Sequence, residues 1–127
     1  MGTVAPRFAG TGEPGDTGDG GPARLAQIGA PSQLTLGPDG SLFFADRDAW
    51  RIRRVDPLGI IDTVAGSGVY CEVDGCGDGG PATEATFFAP AGLAVRPNGD
   101  LLIADVNCVR RVDASGIIET IAGYCDA

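Results

Sequence analysis

The chain has 127 residues, with 21 Gly, 9 Pro, no Lys and no His; all nine basic residues are Arg, against 17 acidic ones, for a net charge of −8. Without imidazole, a His-based triad, a His-ligated zinc and a His proton shuttle are excluded within this chain, and so acidic a chain repels phosphate backbones, which argues against a nucleic-acid partner. Hydrophobic residues make up 43%, enough for one packed domain; no apolar run approaches 18 residues and Met1-Gly2-Thr3 opens no leader, so neither membrane span nor signal peptide is expected.

A repeat organises the chain. Gly18-Asp19-Gly20-Gly21-Pro22-Ala23 returns unchanged as Gly77-Asp78-Gly79-Gly80-Pro81-Ala82, an offset of 59 that also carries Pro31 onto Pro90, Gly40 onto Gly99 and Ala45-Asp46 onto Ala104-Asp105. After a two-residue deletion, Arg53-Arg54-Val55-Asp56 falls on Arg110-Arg111-Val112-Asp113 and Thr63-Val64-Ala65-Gly66 on Thr120-Ile121-Ala122-Gly123. The expected segments are a partial leading repeat over 1–12, a first blade-sized repeat over 13–68 and a second over 69–127. In the leading segment Val4 to Phe8 has the pattern of a strand, and Ala9-Gly10-Thr11-Gly12 parallels Ala65-Gly66-Ser67-Gly68.

Each full repeat predicts four short strands. In the first copy they are Gln33 to Leu36, Leu42 to Ala45, Arg51 to Val55 and Ile60 to Ala65; in the second, Gly92 to Val95, Leu101 to Ala104, Val109 to Val112 and Ile117 to Ala122. The turn Pro97-Asn98-Gly99 carries an Asn-Gly hairpin signal. Ahead of each set, Pro22 and Pro81 suit the first position of a helix, and about two helical turns are expected over Ala23 to Ile28 and Ala82 to Phe88. Leu42-Phe43-Phe44 and Leu101-Leu102-Ile103 do not alternate, so the second strand is apolar on both faces, as in sheets stacked face to face. Arg51, Arg53 and Val55 share one face of the third strand and Ile52 and Arg54 the other, which predicts a half-exposed outer strand.

These residues resemble NHL repeats, a β-propeller family whose pattern (V-A-G-x-G, G-D-G-G-P-A, P-x-G-L-A-V, D-G-x-L-x-x-A-D, R-[IV]-R-[KR]-[IV], T-[IV]-A-G) runs along nearly the whole chain; the long form with Gly-Asp-Gly-Gly-Pro-Ala is similar to that of large bacterial surface proteins and teneurin-like proteins. The resemblance implies an all-β fold, with two propeller blades of four antiparallel strands per chain. Propellers close with 4–8 blades and NHL-like ones typically with six, so the expectation is a ring completed by oligomerisation, a homotrimer in the first instance. Family members include binding platforms, receptor ectodomains, RNA-binding domains and a few lyases or hydrolases. The reading favoured is a non-enzymatic scaffold presenting rim loops to a protein or glycan partner. The alternatives are a lactonase-like hydrolase or lyase holding a central calcium through Asp46, Asp105, Asn98 and Asn107, and a fragment whose only activity is assembly.

Candidate site residues are few. Asp46 and Asp105 end their second strands, where a carboxylate accepting N–H groups two residues on would cap a turn; with Asn107 they are also candidate rim ligands. Trp50, the only Trp, stands where the second copy has a gap, and either packs into the neighbouring blade or anchors a partner or sugar. Gly18 to Pro22 and Gly77 to Pro81 look like phosphate loops without the lysine, and their repetition points to scaffold geometry. Glu72, Asp74 and Asp78 form a loose acidic cluster that is not a calcium loop, so no metal site and no cofactor beyond a conceivable calcium is expected. Arg51, Arg53, Arg54, Arg110 and Arg111 suggest salt bridges along solvated strand edges. Cys71 and Cys76 suit a disulfide closing a long loop; Cys108, placed opposite Ala122, is near enough to Cys125 for a second, and a four-cysteine zinc site is the alternative. An even cysteine count in this chain favours an extracellular or periplasmic location.

Overall fold

Two repeats become two sheets. The computed structural model describes residues 8–72 and 74–125; of the strand expected over Val4 to Phe8, all but Phe8 lies outside them. Strands β1 (Pro31–Leu36), β2 (Leu42–Asp46), β3 (Arg51–Val55) and β4 (Ile61–Ala65) form one sheet, and β5 (Pro90–Val95), β6 (Leu101–Asp105), β7 (Cys108–Val112) and β8 (Ile118–Gly123) the other. In each the strand order follows the chain, every pair is antiparallel, and the first strand bulges near its start, between Ser32 and Leu34 in one and, one position earlier by the repeat, between Pro90 and Gly92 in the other. Short polar side chains set the hairpins: Asp39 accepts the Ser41 N–H at 2.9 Å and Asn98 that of Asp100 at 3.1 Å, while Asp56 and Asp113 each accept two N–H groups inside the last turn.

The helices expected before each sheet shrink to single 3₁₀ turns, Ala23–Leu25 and Ala82–Glu84. Their backbone groups are claimed from outside. The N–H groups of Ala23 and Ala82 donate to Gly59 and Gly116 at 2.8 Å, and the carbonyls of Ala82 and Ala85 accept from Gly66 (2.9 Å) and Ser67 (2.8 Å). The N–H groups that would continue the ladder, those of Gln27 and Thr86, donate instead to the carbonyls of Thr17 and Cys76, both at 3.0 Å, so helix propensity loses. The glycine-rich run serves the same purpose. The Gly20 N–H donates to Ile61 and the Gly79 N–H to Ile118, both at 2.7 Å, so each Gly-Asp-Gly-Gly-Pro-Ala segment covers the edge of its own outermost strand.

An arginine locks that segment in place. Arg53 in β3 is fully buried, and its guanidinium donates to the carbonyls of Gln27 (2.5 Å) and Thr17 (3.1 Å) and to the Asp19 carboxylate (3.0 Å). Arg110 in β7 does the same with Thr86 (2.7 Å), Cys76 (2.8 Å) and Asp78 (3.0 Å), stacked over the Phe87 ring at 5.0 Å. Thr63 and Thr120 hold the second oxygens of Asp19 and Asp78. The solvated edge expected for the arginines is thus corrected at Arg53 and Arg110: the planar five-donor fork satisfies the Gln27 and Thr86 carbonyls that the loop leaves open and adds a second donor to those of Thr17 and Cys76. Asp78 likewise belongs to this lock and not to an acidic cluster with Glu72 and Asp74. Arg54 and Arg111 do sit at the surface, paired with Asp39 (2.9 Å) and Glu119 (3.5 Å).

Two apolar layers result. The main core lies between the sheets: Ala45, Ile52 and Ala65 from one face of the first pack with Phe43 against Ala82, Ala85 and Phe87 of the connection and Leu101, Ile103, Val112 and Ile118 of the second. The other face of the first sheet, through Phe44, Val55 and Ile61, packs on Ala23 and Ala26 of its own connection. Burial of both faces is the reason β2 does not alternate.

Candidate functional site

The β2–β3 and β6–β7 loops lie at the same end of their sheets and carry the sequence candidates. Asp46 and Asp105 are fully buried there. Their carboxylates reach back 16 and 17 residues: Asp46 accepts the N–H groups of Gly29 and Ala30, both at 2.9 Å, and Asp105 those of Phe88 (2.9 Å) and Ala89 (2.7 Å). The expected cap two residues on is therefore corrected to a bracket across the sheet, which pins the entry to β1 and β5. Each carboxylate has an N–H on both oxygens, charge-assisted bonds of the stronger kind.

Trp50 closes a 3₁₀ turn, Arg47–Ala49, and takes a left-handed backbone conformation at φ 50°, uncommon for a bulky residue. The strain is offset by what the ring does. Its indole N–H donates to the Phe88 carbonyl at 3.1 Å, and it meets Tyr70 edge-on at 6.0 Å, which meets Phe88 edge-on at 5.6 Å. Trp50 thus packs into the neighbouring sheet, and sequence reading missed Tyr70 and Phe88 as its partners; two aromatics flanking the longer connection were the available signal. Trp50 is only partly buried, and it lines an open depression of about 360 Å³ with Asp16, Gly29, Asp48 and Gly68. Asp16 is held there by Arg51 at 3.4 Å.

Asp105 and Asn107 line a different depression, of about 510 Å³, walled by Ala91, Ala104, Val109 and Ala122 on the free face of the second sheet. The four rim candidates therefore do not converge on one site. Among the described residues, no three His, Cys, Asp or Glu side chains gather as metal ligands would.

Glycines let the loops close. A Cβ on Gly66 would lie 2.2 Å from the Trp50 carbonyl oxygen, and one on Gly123 2.1 Å from that of Asn107, each at positive φ (96° and 73°). The cysteines close the second blade further. Cys71–Cys76 and Cys108–Cys125 are both disulfides, and the four pack as one buried group with Phe88 against it; the zinc alternative is thereby excluded. Cys108 pairs in register with Gly123, one position beyond the expected Ala122. Among the described residues no helix is long and apolar enough to cross a membrane.

Order along the chain, four antiparallel strands per sheet and face-to-face packing make these two blades of a β-propeller. The second matches the Teneurin NHL domain family over residues 68–126. Over 97 residues the chain is 38% identical to Teneurin-3 of Danio rerio and 39% identical to Teneurin-3 of Mus musculus; each alignment covers 68% of this chain and 4% of the relative. Solved structures repeat the fold: a protein of unknown function from Bacteroides thetaiotaomicron (TM-score 0.57, 28% identity, 70% of this chain and 22% of that one) and a catalytically inactive virginiamycin B lyase of Staphylococcus aureus with quinupristin (TM-score 0.50, 26% identity, 75% and 29%). The second blade carries the Teneurin NHL match and the chain as a whole is similar to NHL-repeat propellers; it spans only a few per cent of the length of the teneurins it matches.

Proposed function

We propose that the chain is a non-enzymatic propeller module working outside the cell, associating with copies of itself to close a ring, three copies giving six blades, and presenting rim loops to a protein or glycan partner. The observation that carries the binding role is the Trp50 depression: an aromatic ring held in a strained backbone, with the carboxylates of Asp16 and Asp48 at its edge. That combination suits a sugar face or a basic side chain of a partner protein. Two buried disulfides and the Teneurin NHL match support the extracellular location.

The rival is a lyase or lactonase-like enzyme with a central calcium. It is favoured by the likeness to virginiamycin B lyase, whose inactive form carries a His-to-Ala substitution; this chain has no His. Its candidate carboxylates Asp46 and Asp105 already hold two backbone N–H groups each. The test is binding of the labelled chain to arrays of glycans and of immobilised ectodomains, beside the Trp50→Phe and Asp48→Asn variants. Binding that weakens at least tenfold in both variants, with the fold kept by circular dichroism, is expected. Binding that neither variant changes, or lactone hydrolysis that stops on chelation of calcium, would overturn the reading.

A further inference from the structure

The junction inside the chain shows how one blade receives the next. Ala45, Ile52 and Ala65 form the back of the first blade, and Ala82, Ala85 and Phe87 of the following connection bury against them. Two backbone bonds fix the register there, from the Gly66 N–H to the Ala82 carbonyl and from the Ser67 N–H to that of Ala85.

Both halves of this contact recur at the two ends of the molecule, the socket open and the plug residues Ala23 and Ala26 buried (2% and 0%) with Ala9 packed against them. By the repeat, Ala45, Ile52 and Ala65 correspond to Ala104, Val109 and Ala122, the very residues that wall the 510 Å³ depression on the back of the second blade. Ala82, Ala85 and Phe87 correspond to Ala23, Ala26 and Ile28 on the front of the first blade, beside Leu34 and Leu36, which are 67% and 69% exposed. Each chain therefore carries the socket at one end and the plug at the other.

We propose that a second copy of this chain docks head to tail, its Ala23, Ala26 and Ile28 seated in the depression formed by Ala104, Val109 and Ala122, with the Gly123 N–H donating to the Ala23 carbonyl of that copy and the Tyr124 N–H, which within the chain donates to the Asn107 carbonyl at 3.2 Å, turning to that of Ala26. This rests on the self-association in the reading above and is independent of the rim ligand. The same two carbonyls already show what they accept: within the chain Ala23 takes the Gly10 N–H at 2.9 Å and Ala26 the Thr11 N–H at 3.0 Å. The Ala9–Gly12 segment, a copy of Ala65–Gly68, thus occupies in the same chain the place that the end of β8 takes from a neighbour, and docking displaces it. Socket and plug are different surfaces, so the contact is heterologous and propagates until a ring closes.

Light scattering on a sizing column tests this with the full chain. The expected mass is an integer multiple of 12.9 kDa, three for six blades. Ala104→Asp blocks the socket and Leu34→Asp the plug; both positions are exposed, so the monomer keeps its fold, checked by circular dichroism. Each variant alone is expected to fall to the single-chain mass, a threefold drop from a trimer. An equimolar mixture is expected to give a dimer and nothing larger, because one good socket and one good plug remain. A single-chain mass for the unsubstituted protein at all concentrations overturns both the ring and this contact. A multimer that neither substitution breaks, or variants whose mixture stays monomeric, leaves self-association standing and overturns the surfaces named here.

Discussion

The two blades hold the same backbone contacts with different chemistry. Arg53 with Asp19 in the first matches Arg110 with Asp78 in the second, and the Asp46 bracket matches that of Asp105. They part at the outer corner. In the first blade Arg51 reaches the Ser67 carbonyl at 3.1 Å and lies over Gly68, where a Cβ would come within 2.6 Å of the guanidinium. By the repeat those positions become Cys108 and Cys125, and the contact becomes a covalent bond. The second blade also gains Cys71–Cys76 in a connection three residues longer than its counterpart. The lesson is that the corner needs a tie between the start of the third strand and the end of the fourth, and that either an ion-bearing side chain or a disulfide supplies it.

Breaking the shared lock should do most. Arg110→Met leaves the Thr86 carbonyl and one side of Asp78 without a donor and the Cys76 carbonyl with the Thr86 N–H alone; unfolding in urea should show a loss of about 3 kcal/mol, given the cost of unmade hydrogen bonds and broken buried pairs. Arg53→Met should lose less, because Arg110 stacks on the Phe87 ring and, among the described residues, Arg53 has no such partner. Equal losses would mean that the stacking contributes nothing.

The corner ties sharpen the contrast. Replacing Cys108 and Cys125 by Ala opens a loop of 17 residues' separation and should lower stability by about 3 kcal/mol. Arg51→Met in the first blade should cost about 1 kcal/mol, the worth of its hydrogen bond to Ser67. If the two losses prove alike, the disulfide acts only as a contact and not as a chain constraint.

Between the blades, Trp50→Phe keeps the ring but removes the indole N–H from the Phe88 carbonyl; a loss of about 1 kcal/mol is expected in thermal melts. No loss would show that the carbonyl finds water instead.

The smallest effect is at the first hairpins. The Ser41 backbone N–H and hydroxyl, then Arg54, hold the Asp39 carboxyl below its ordinary range, whereas the second blade has Asn98 at that position. A lowered folded value means that Asp39 adds stability above the ordinary carboxylate range and loses it as pH falls through the folded value. Asp39→Asn should therefore melt slightly lower than the parent near neutrality, and the gap should close in acid. A gap that persists at low pH would assign it to something other than ionisation.

Much of this architecture is legible in the amino-acid sequence. The eight strands fall within two residues of their expected limits, because alternation, Asn-Gly and Asp turns and the repeat itself act over a few neighbouring residues. Both disulfides follow from loop length and hairpin counting for the same reason. What escaped the sequence depends on partners far along the chain. Ala23–Leu25 and Ala82–Glu84 stop after one turn because the next N–H groups, of Gln27 and Thr86, donate to Thr17 and Cys76. Arg53 and Arg110 read as surface charges until the glycine-rich loop folds over them. Asp46 and Asp105 read as local caps, yet they bind N–H groups 16 and 17 residues upstream. Local chemistry determined where the chain extends and turns; only the tertiary structure decided which polar groups are buried, which face of the second blade stays open, and that Trp50 lines one depression while Asp105 and Asn107 line another, since each of these is settled by hydrogen bonds and packing between segments that the sequence holds apart.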